Sequence, residues 1–231
     1  MNVQTLPKSD AEALERLLAA RHSCRGFLAD QVADAVIERI LGLAQRTPSW
    51  CNAQPWRVVI TKGAATAKFR DQLCEHVAKE PVAPDIAFPR EYRGEYLERR
   101  RVCGYQLYDA VGIARGDRAA SQQQAFENFK LFGAPHVAIV TSDEALGTYG
   151  AVDCGAYVNN FLLAAESLGV ATIPQASIAS HAKFVRNFFG IGDDRLVVCA
   201  ISFGYEDHAH KANNFRTTRA ALADVVQWVG E

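Results

Sequence analysis

The sequence contains no apolar run of about 18 residues, the length that a membrane-spanning helix requires, so we expect no membrane-embedded segment. It contains no block of like charges, and its formal net charge of -1 predicts no attraction to nucleic acid or to an anionic membrane. Residues 1–10 lack the apolar core of a secretion signal, and the six cysteines are widely spaced with no CxxC pair. These absences predict reduced thiols, no bound metal and a cytoplasmic location.

Several sequence signatures of common enzyme chemistry are also missing. There is no GxGxxG after a predicted strand, no GxxxxGK(S/T) phosphate loop, no GxSxG nucleophile elbow and no HExxH metal helix. The histidines show no i, i+4 pairing of the kind that binds zinc on a helix. If the chain is an enzyme, a tightly bound organic cofactor must supply the chemistry, and we assign no catalytic acid or base.

The composition is that of an ordinary globular protein, because hydrophobic residues make up 49% of the chain and charged residues 22%. We therefore predict one domain covering residues 1–231. Sequence patterns predict short strands at residues 57–61, 136–141, 170–173 and 196–203, separated by six or seven helices. This order predicts an α+β fold in which a small mixed sheet is surrounded by helices.

Three helical features are marked by local signals. Ser9 and Glu12 form a capping-box pattern, and Asp30 and Ser180 are predicted N-caps of later helices. Residues 149–168 form the longest candidate helix and are apolar on most sides, which predicts a central, buried helix. Residues 219–229 form an amphipathic tail, and one chain of this size has few surfaces to cover it. The tail therefore predicts a partner subunit.

Arg21, Ser23 and Arg25 form an R-x-S-x-R motif at the end of the first predicted helix. Guanidinium groups match the oxygens of a phosphate, and the serine hydroxyl adds a further donor. A basic helix C-terminus that complements the helix dipole is the alternative interpretation. The motif by itself leaves both open.

Residues 48–56, with the sequence PSWCNAQPW, form a second polar constellation. Two prolines stiffen a loop that carries Ser49, Asn52 and Gln54 between two tryptophans. Side-chain amides both donate and accept hydrogen bonds, so a rigid loop of this kind suits the edge of a flat heteroaromatic ring. Amides that satisfy the loop's own backbone are the alternative.

These two motifs, in this order, resemble the FMN-dependent nitroreductase family. FGAP at residues 132–135 precedes a predicted strand, ATIP at 171–174 ends another, and NFRTTR at 214–219 is similar to the family's closing basic motif. The resemblance extends from Arg21 to Trp228. It implies a nitroreductase-like fold, an intertwined homodimer with FMN at the interface, and electron transfer from NADH or NADPH to a nitroaromatic or quinone-like acceptor.

The resemblance also implies which residues contact FMN. Those implied at the phosphate and ribityl chain are Arg21, His22, Ser23, Arg25, Arg216 and Arg219. Those implied to reach FMN from the opposite subunit are Pro48, Ser49, Asn52 and Gln54. Those implied beside the flavin ring are Pro174, Gln175, Ala176 and Ser177, with Gln124 and Asn128 as further candidates at its edge.

The resemblance also bears on the acceptor. Ala176 and Ser177 stand where one branch of the family has a carboxylate and a glycine, so the chain is more similar to the branch that acts on nitrobenzoate- or nitrophenol-like compounds. Residues 91–132 are implied to form a lid. Tyr105, Tyr108 and Phe132 are candidate acceptor contacts, and ordinary core aromatics are the alternative for all three.

The implied reaction is a ping-pong cycle in which reduced nicotinamide delivers electrons to FMN and leaves before the acceptor binds. Two alternatives stay open. Related proteins of this fold cleave flavin or remove halogen from iodotyrosine, and a non-enzymatic flavin store or redox-sensing module would need the same cofactor residues. The sequence names neither the physiological acceptor nor the preferred nicotinamide.

Overall fold

The computed structural model describes residues 9–230, so the expectation about a secretion signal falls largely on residues 1–8, outside the described part. The described helices are α1 (Asp10–Ala20), α2 (Asp34–Ala44), α3 (Ala64–Val77), α4 (Gly94–Val111), α5 (Arg118–Phe126), α6 (Gly147–Ser167), α7 (Ala176–Ala179) and α8 (Ala182–Phe189). The strands are β1 (Arg57–Ile60), β2 (His136–Asp143), β3 (Ala171–Gln175) and β4 (Arg195–Gly204). None of the helices in residues 9–230 combines the length and the hydropathy needed to cross a bilayer.

Helix α1 begins where its capping box predicts. The Ser9 hydroxyl accepts the Glu12 N–H at 3.2 Å, and the Glu12 carboxylate accepts the Ser9 N–H at 3.1 Å. The other two predicted caps are wrong. Helix α2 follows Ala33 rather than Asp30, and Ser180 lies at the C-terminal end of α7, so that α8 begins after His181.

The four strands form one sheet in the order β1-β2-β4-β3, and every neighbouring pair is antiparallel. The sheet is therefore antiparallel rather than mixed as predicted, and the parallel pairing of Ser23 with Thr172 of β3 is an isolated bridge. Beside this bridge, the Cys24 N–H donates to the Thr172 carbonyl oxygen at 3.0 Å. The segment that follows α1 is therefore fixed to the edge of the sheet at β3.

Both faces of the sheet are buried, which confirms the predicted α+β arrangement. Successive side chains of a strand point to opposite faces. Val140 of β2 therefore packs in the cluster that contains Phe161 of α6, whereas Ile139 packs in the cluster that contains Phe69 of α3. The near-continuous apolar sequence of β4 has the same cause, because both of its faces are covered by helices.

Helix α6 is buried along only one face, which corrects the prediction of a helix buried on most sides. Cys154, Tyr157 and Phe161 lie in the core with at most 2% of their surface exposed. Tyr149 and Val152 lie on another face and are 62% and 60% exposed. Within one chain, α6 therefore presents a partly apolar surface to solvent.

Candidate functional site

A cavity of about 340 Å³ lies where the segment after α1 meets the C-terminal segment of the chain. It brings together six residues that the sequence motifs single out, from positions almost 200 residues apart. These residues are Arg21, His22, Ser23, Arg25, Arg216 and Arg219. We call Arg21, Ser23, Arg25, Arg216 and Arg219 the arginine clamp.

The four arginines of the clamp pair with no carboxylate in the part of the chain that the structure describes. Arg25 donates to the Ser23 carbonyl oxygen at 3.1 Å, and Arg216 and Arg219 likewise donate to backbone carbonyl oxygens near them in sequence. Burial lowers the pKa of Arg25, since its charge is partly withdrawn from water. Four cations that share one cavity without an acidic partner favour the binding of an anion.

Glu206 pairs with His22 and His208 and with no arginine of the clamp. The His22 Nε2 atom lies 3.1 Å from the Glu206 carboxylate, and Nδ1 lies 3.1 Å from the Ala20 carbonyl oxygen. Both ring nitrogens of His22 therefore have partners within the protein. The ring joins the end of α1 to the residues that follow β4, and its nitrogens are already hydrogen-bonded within the protein.

Arg25 also borders a second cavity, of about 440 Å³, whose lining includes Gln124, Phe132 and His210. Phe132 is 7% exposed and adopts a φ of 51°, in the left-handed region that bulky residues rarely occupy. Arg25 thus borders both cavities, and two of the residues predicted to contact the flavin edge or the acceptor, Gln124 and Phe132, share the second one.

The segment that ends β3 is joined to the end of α5 through side-chain amides. The Gln175 amide donates to the Asn128 backbone oxygen at 2.8 Å and accepts from the Ser202 hydroxyl at 2.5 Å. The Ser177 hydroxyl donates to the Asn128 side-chain oxygen at 3.1 Å. These contacts occupy the side chains of Gln175, Ser177 and Asn128, whereas Pro174 is half-buried and Ala176 is exposed.

Residues 48–56, which we call the proline loop, do not line either cavity. The loop is held internally, because Ser49 accepts the Gln54 N–H at 2.9 Å and the Gln54 amide donates to the Asn52 side-chain oxygen at 3.0 Å. Asn52 and Gln54 have φ angles of 55° and 48°. Such backbone outliers in non-glycine residues cluster at functional sites. Pro48, Asn52 and Gln54 are exposed, and Ser49 is half-buried.

The proline loop packs against α6 rather than against the clamp. The Trp50 N–H donates to the Asp153 carboxylate at 3.1 Å, and the Trp50 and Tyr149 rings lie 4.8 Å apart. Trp50 nevertheless remains 63% exposed. The loop and the exposed face of α6 therefore form one continuous surface with exposed aromatic rings.

Tyr105 and Tyr108 of α4 line neither cavity. Arg115 lies over the Tyr105 ring at 4.6 Å from its centroid. The sequence motifs missed other residues that do line the cavities, among them Cys103, Phe215, Thr217, Glu127 and His210. Phe215 and Thr217 flank Arg216 in the NFRTTR motif, so that motif could have identified them, whereas Cys103 and His210 carry no comparable signal.

The buried thiols are poor nucleophiles. Burial raises the pKa of Cys24 to about 12, that of Cys154 to about 11 and that of Cys199 to about 12. A protonated thiol neither attacks carbon nor binds metal well. Among residues 9–230, no group of three or more histidine, cysteine, aspartate or glutamate side chains is placed to hold a metal ion.

Comparison with known proteins identifies the family. The profile of the Nitroreductase family matches residues 18–205. The chain is 35% identical to nitroreductase NfnB of Mycolicibacterium smegmatis over 99% of each chain, and 29% identical to a 4-nitrobenzoate reductase of Pseudomonas putida over 94% of this chain and 95% of that one.

The fold agrees with these sequence comparisons. It matches the crystal structure of the FMN-dependent nitroreductase NfnB from Mycobacterium smegmatis in complex with NADPH, with a TM-score of 0.92 and 33% identity over 96% of this chain and 100% of that chain. The nitroreductase-like fold that the sequence predicts is therefore confirmed, and the chain belongs to the nitroreductase family.

Proposed function

We propose that this chain binds FMN and uses it to transfer electrons from NADH or NADPH to nitroaromatic or quinone-like acceptors. Its similarity to an FMN-dependent nitroreductase crystallised with NADPH and to a 4-nitrobenzoate reductase supports this reaction class. One observation of the structure carries the cofactor assignment. Four arginines with no carboxylate partner among the described residues converge on one cavity beside a serine hydroxyl, and the FMN phosphate is an anion that suits this set of donors.

In this proposal, Arg21, Ser23, Arg25 and Arg219 hold the FMN phosphate and the adjoining ribityl chain, and Arg216 adds a further positive charge. Arginine is well suited to the task because its guanidinium presents several donors in a fixed plane and stays charged. The His22 ring supports the clamp through its contact with Glu206. We therefore assign the contact of His22 with FMN to its backbone.

The segment 174–177 lies beside the flavin ring in this proposal. The side chains of Gln175 and Ser177 are hydrogen-bonded to Asn128, so we assign the ring contacts to the backbone of this segment and to Pro174 and Ala176. Gln124 and Phe132 contact the ring or the acceptor from the second cavity. The contact of Tyr105 and Tyr108 with the acceptor stays a prediction, because neither residue lines these cavities.

Bound FMN supplies the redox chemistry, and the residues of the chain bind and orient it. Charges fixed in a partly buried site need no reorganisation during turnover, which is the usual contribution of such groups to catalysis. Arg25 is placed for this role, since it is partly buried, carries no acidic partner and borders both cavities. The Cys24 thiol, which adjoins Ser23, takes no part as a nucleophile, because burial raises its pKa and holds it protonated.

We also propose a homodimer in which the proline loop of one subunit reaches the flavin of the other through Pro48, Ser49, Asn52 and Gln54. The loop lies outside the clamp of its own chain but carries Trp50 exposed beside Tyr149 and Val152. In the C-terminal tail, Val225, Trp228 and other apolar residues are also exposed. Apolar surface of this extent is typical of a subunit interface.

We further propose that residues 1–231 form a single FMN-binding domain that works in the cytoplasm. All six cysteines are unpaired in the structure, which suits a reducing compartment.

An ultraviolet–visible spectrum of the purified protein tests the proposed function. We expect the absorbance bands of oxidised flavin, released as FMN on denaturation and bleached when NADH or NADPH is added without oxygen. A nitrobenzoate or a quinone should then restore the bands. Protein that stays colourless after incubation with FMN, or bound FMN that neither nicotinamide reduces, would contradict the proposal.

A further inference from the structure

Asn213 is a buried amide with partners on both sides of the arginine clamp. It is 3% exposed. Its side-chain oxygen accepts the backbone N–H of Arg25 at 2.7 Å. Its side-chain nitrogen donates to the Gly26 carbonyl oxygen at 2.9 Å and to the Asp207 carbonyl oxygen at 3.0 Å. The donors and acceptor of the amide all face complementary groups, so only one orientation of the amide satisfies them.

The backbone of Asn213 reaches the other half of the clamp. Its carbonyl oxygen accepts a hydrogen bond from Arg216 at 2.7 Å. The side chain thus holds the segment that carries Arg25, and the backbone holds the guanidinium of Arg216. These two arginines come from sequence positions almost 200 residues apart, and Asn213 contacts both.

Other contacts join the same two segments, but they lie farther from the arginines of the C-terminal segment. The Asp207 N–H donates to the Gly26 carbonyl oxygen at 3.0 Å, and the Leu28 N–H donates to the Tyr205 carbonyl oxygen at 2.9 Å. They fix residues 205–207 to residues 26–28. Beyond residue 210, Asn213 supplies the hydrogen bonds that align the chain with Arg25, and Phe215 adds its ring at 5.7 Å from the Arg25 guanidinium carbon.

We propose that Asn213 is a positioning residue for phosphate recognition, which acts through Arg25 and Arg216 and does not touch the cofactor itself. Asn213 is not among the residues that line the arginine cavity. A phosphate bound by several guanidinium groups depends on their spacing, because each contact requires a fixed donor geometry. Loss of Asn213 should therefore weaken the recognition of the phosphate more than that of the isoalloxazine ring. This inference rests on the proposed function.

The test compares two ligands that differ only by the phosphate. The apoprotein is titrated with FMN and with riboflavin, and inorganic phosphate is used as a competitor of FMN. We expect Asn213→Ala to raise the Kd for FMN about 10-fold or more, as for the loss of a hydrogen-bonded anchor. The Kd for riboflavin should change by less than about 2-fold, and competition by phosphate should weaken in parallel with FMN binding.

Two further variants separate positioning from general destabilisation. Asn213→Ser keeps a polar side chain of smaller size and replaces Asn213→Ala in the test if that variant does not fold. It should show the same preferential loss of FMN affinity. Thr66→Val is the matched control, because Thr66 is 1% exposed, donates to the Thr61 hydroxyl at 2.8 Å and lines neither cavity. It should lower the melting temperature and leave the ratio of the two Kd values unchanged.

The outcomes of this experiment are distinguishable. If the unmodified protein prefers FMN to riboflavin and both Asn213 variants keep the same preference, or lose both ligands equally, the inference is overturned while the proposed function stands. If the unmodified protein binds riboflavin as tightly as FMN, the proposed clamp itself fails. A selective loss of FMN in either Asn213 variant, absent in Thr66→Val, supports the positioning role.

Discussion

The arginine clamp and the proline loop differ in how far one chain completes them. The clamp is assembled from two distant segments of the same chain, and hydrogen bonds from Asn213 and the His22–Glu206 pair hold those segments together. The proline loop is held by its own side chains and packs on α6, but Trp50 and the neighbouring face of α6 remain exposed. The clamp is organised before any partner arrives, whereas the loop carries a surface that a partner can cover.

Binding of the phosphate and enclosure of the ring can therefore be separated experimentally. In our proposal, the first depends on contacts within one chain and the second on a second subunit. A change in the clamp should therefore alter the affinity for FMN without altering the oligomeric state. A change on the α6 surface should alter the oligomeric state first.

The largest effect should come from a charge on the exposed face of α6. Val152→Asp places a carboxylate where we propose the subunits meet, and burial of an unpaired charge is costly. We expect dimer dissociation to become easier by at least about 100-fold, which converts to about 3 kcal/mol. Light scattering after size-exclusion chromatography measures the mass, and Lys183→Asp, on an exposed position of α8, is the control. An unmodified protein with the mass of one chain would contradict the proposed homodimer.

The next largest effect should come from the clamp. Arg21→Ala removes a charged hydrogen-bond donor from the cavity, so FMN binding should weaken by about 1.5–3 kcal/mol, or roughly 10- to 150-fold. Fluorescence titration of the apoprotein measures the Kd. Arg118→Ala removes an arginine from the start of α5, outside the clamp, and should change the Kd little. Unchanged retention of FMN in Arg21→Ala would contradict the assigned role.

A smaller effect should come from the proline loop. Asn52→Gly is a better truncation than Asn52→Ala, because a φ of 55° suits glycine. Loss of the amide should weaken FMN binding by about 1 kcal/mol, as for one neutral hydrogen bond. The matched variant Asn52→Asp keeps one side-chain oxygen. If Asn52→Gly keeps the full affinity in a protein that is dimeric, the loop does not contact FMN through this residue.

The smallest effect concerns the pH dependence of stability. It arises from buried histidines of the core, outside both the arginine clamp and the proline loop. Burial lowers the pKa of His136 and of His181 below the ordinary value. His136 is satisfied as the neutral form, because Nδ1 donates to the Thr61 carbonyl oxygen and Nε2 accepts the Val32 N–H. In the pH range below about 6.5, the unfolded chain therefore binds more protons than the folded protein, and stability falls as the pH falls.

Thermal unfolding between pH 7.5 and pH 5 measures this dependence. His181→Phe removes one of the two groups, and it also removes a buried ring nitrogen that has no hydrogen-bond partner, so its melting temperature should vary less with pH. Gln72→Ala changes an exposed position of α3 that carries no titratable group and should keep the original dependence. An identical slope in His181→Phe and in the unmodified protein would show that His181 does not titrate on unfolding.

Much of this site could be predicted from the sequence because its motifs are short and ordered. The R-x-S-x-R and NFRTTR motifs each place two arginines within a few residues, and their resemblance to one family links them without reference to the fold. The structure then places both motifs around one cavity. The capping box at Ser9 is predictable for a similar reason, since all of its partners lie within three residues.

The features that the sequence did not predict depend on contacts between distant residues. Asp30 and Ser180 are plausible caps by residue type, but the tertiary structure starts those helices elsewhere. The hydrogen bonds that occupy Gln175 and Asn128 join residues 47 positions apart, so neither residue type nor spacing could reveal them. The apolar pattern of α6 could not distinguish a face covered by the same chain from a face left exposed.

The protonated state of Cys24 has a consequence for the durability of the protein. Its sulfur lies next to Ser23 in sequence, and its S–H group donates to the Gly26 carbonyl oxygen at 3.1 Å. Oxidants attack thiolates far faster than thiols. Because burial holds Cys24 in the thiol form, any peroxide that a flavin enzyme releases during turnover should oxidise it slowly, and the backbone beside Ser23 should keep its shape.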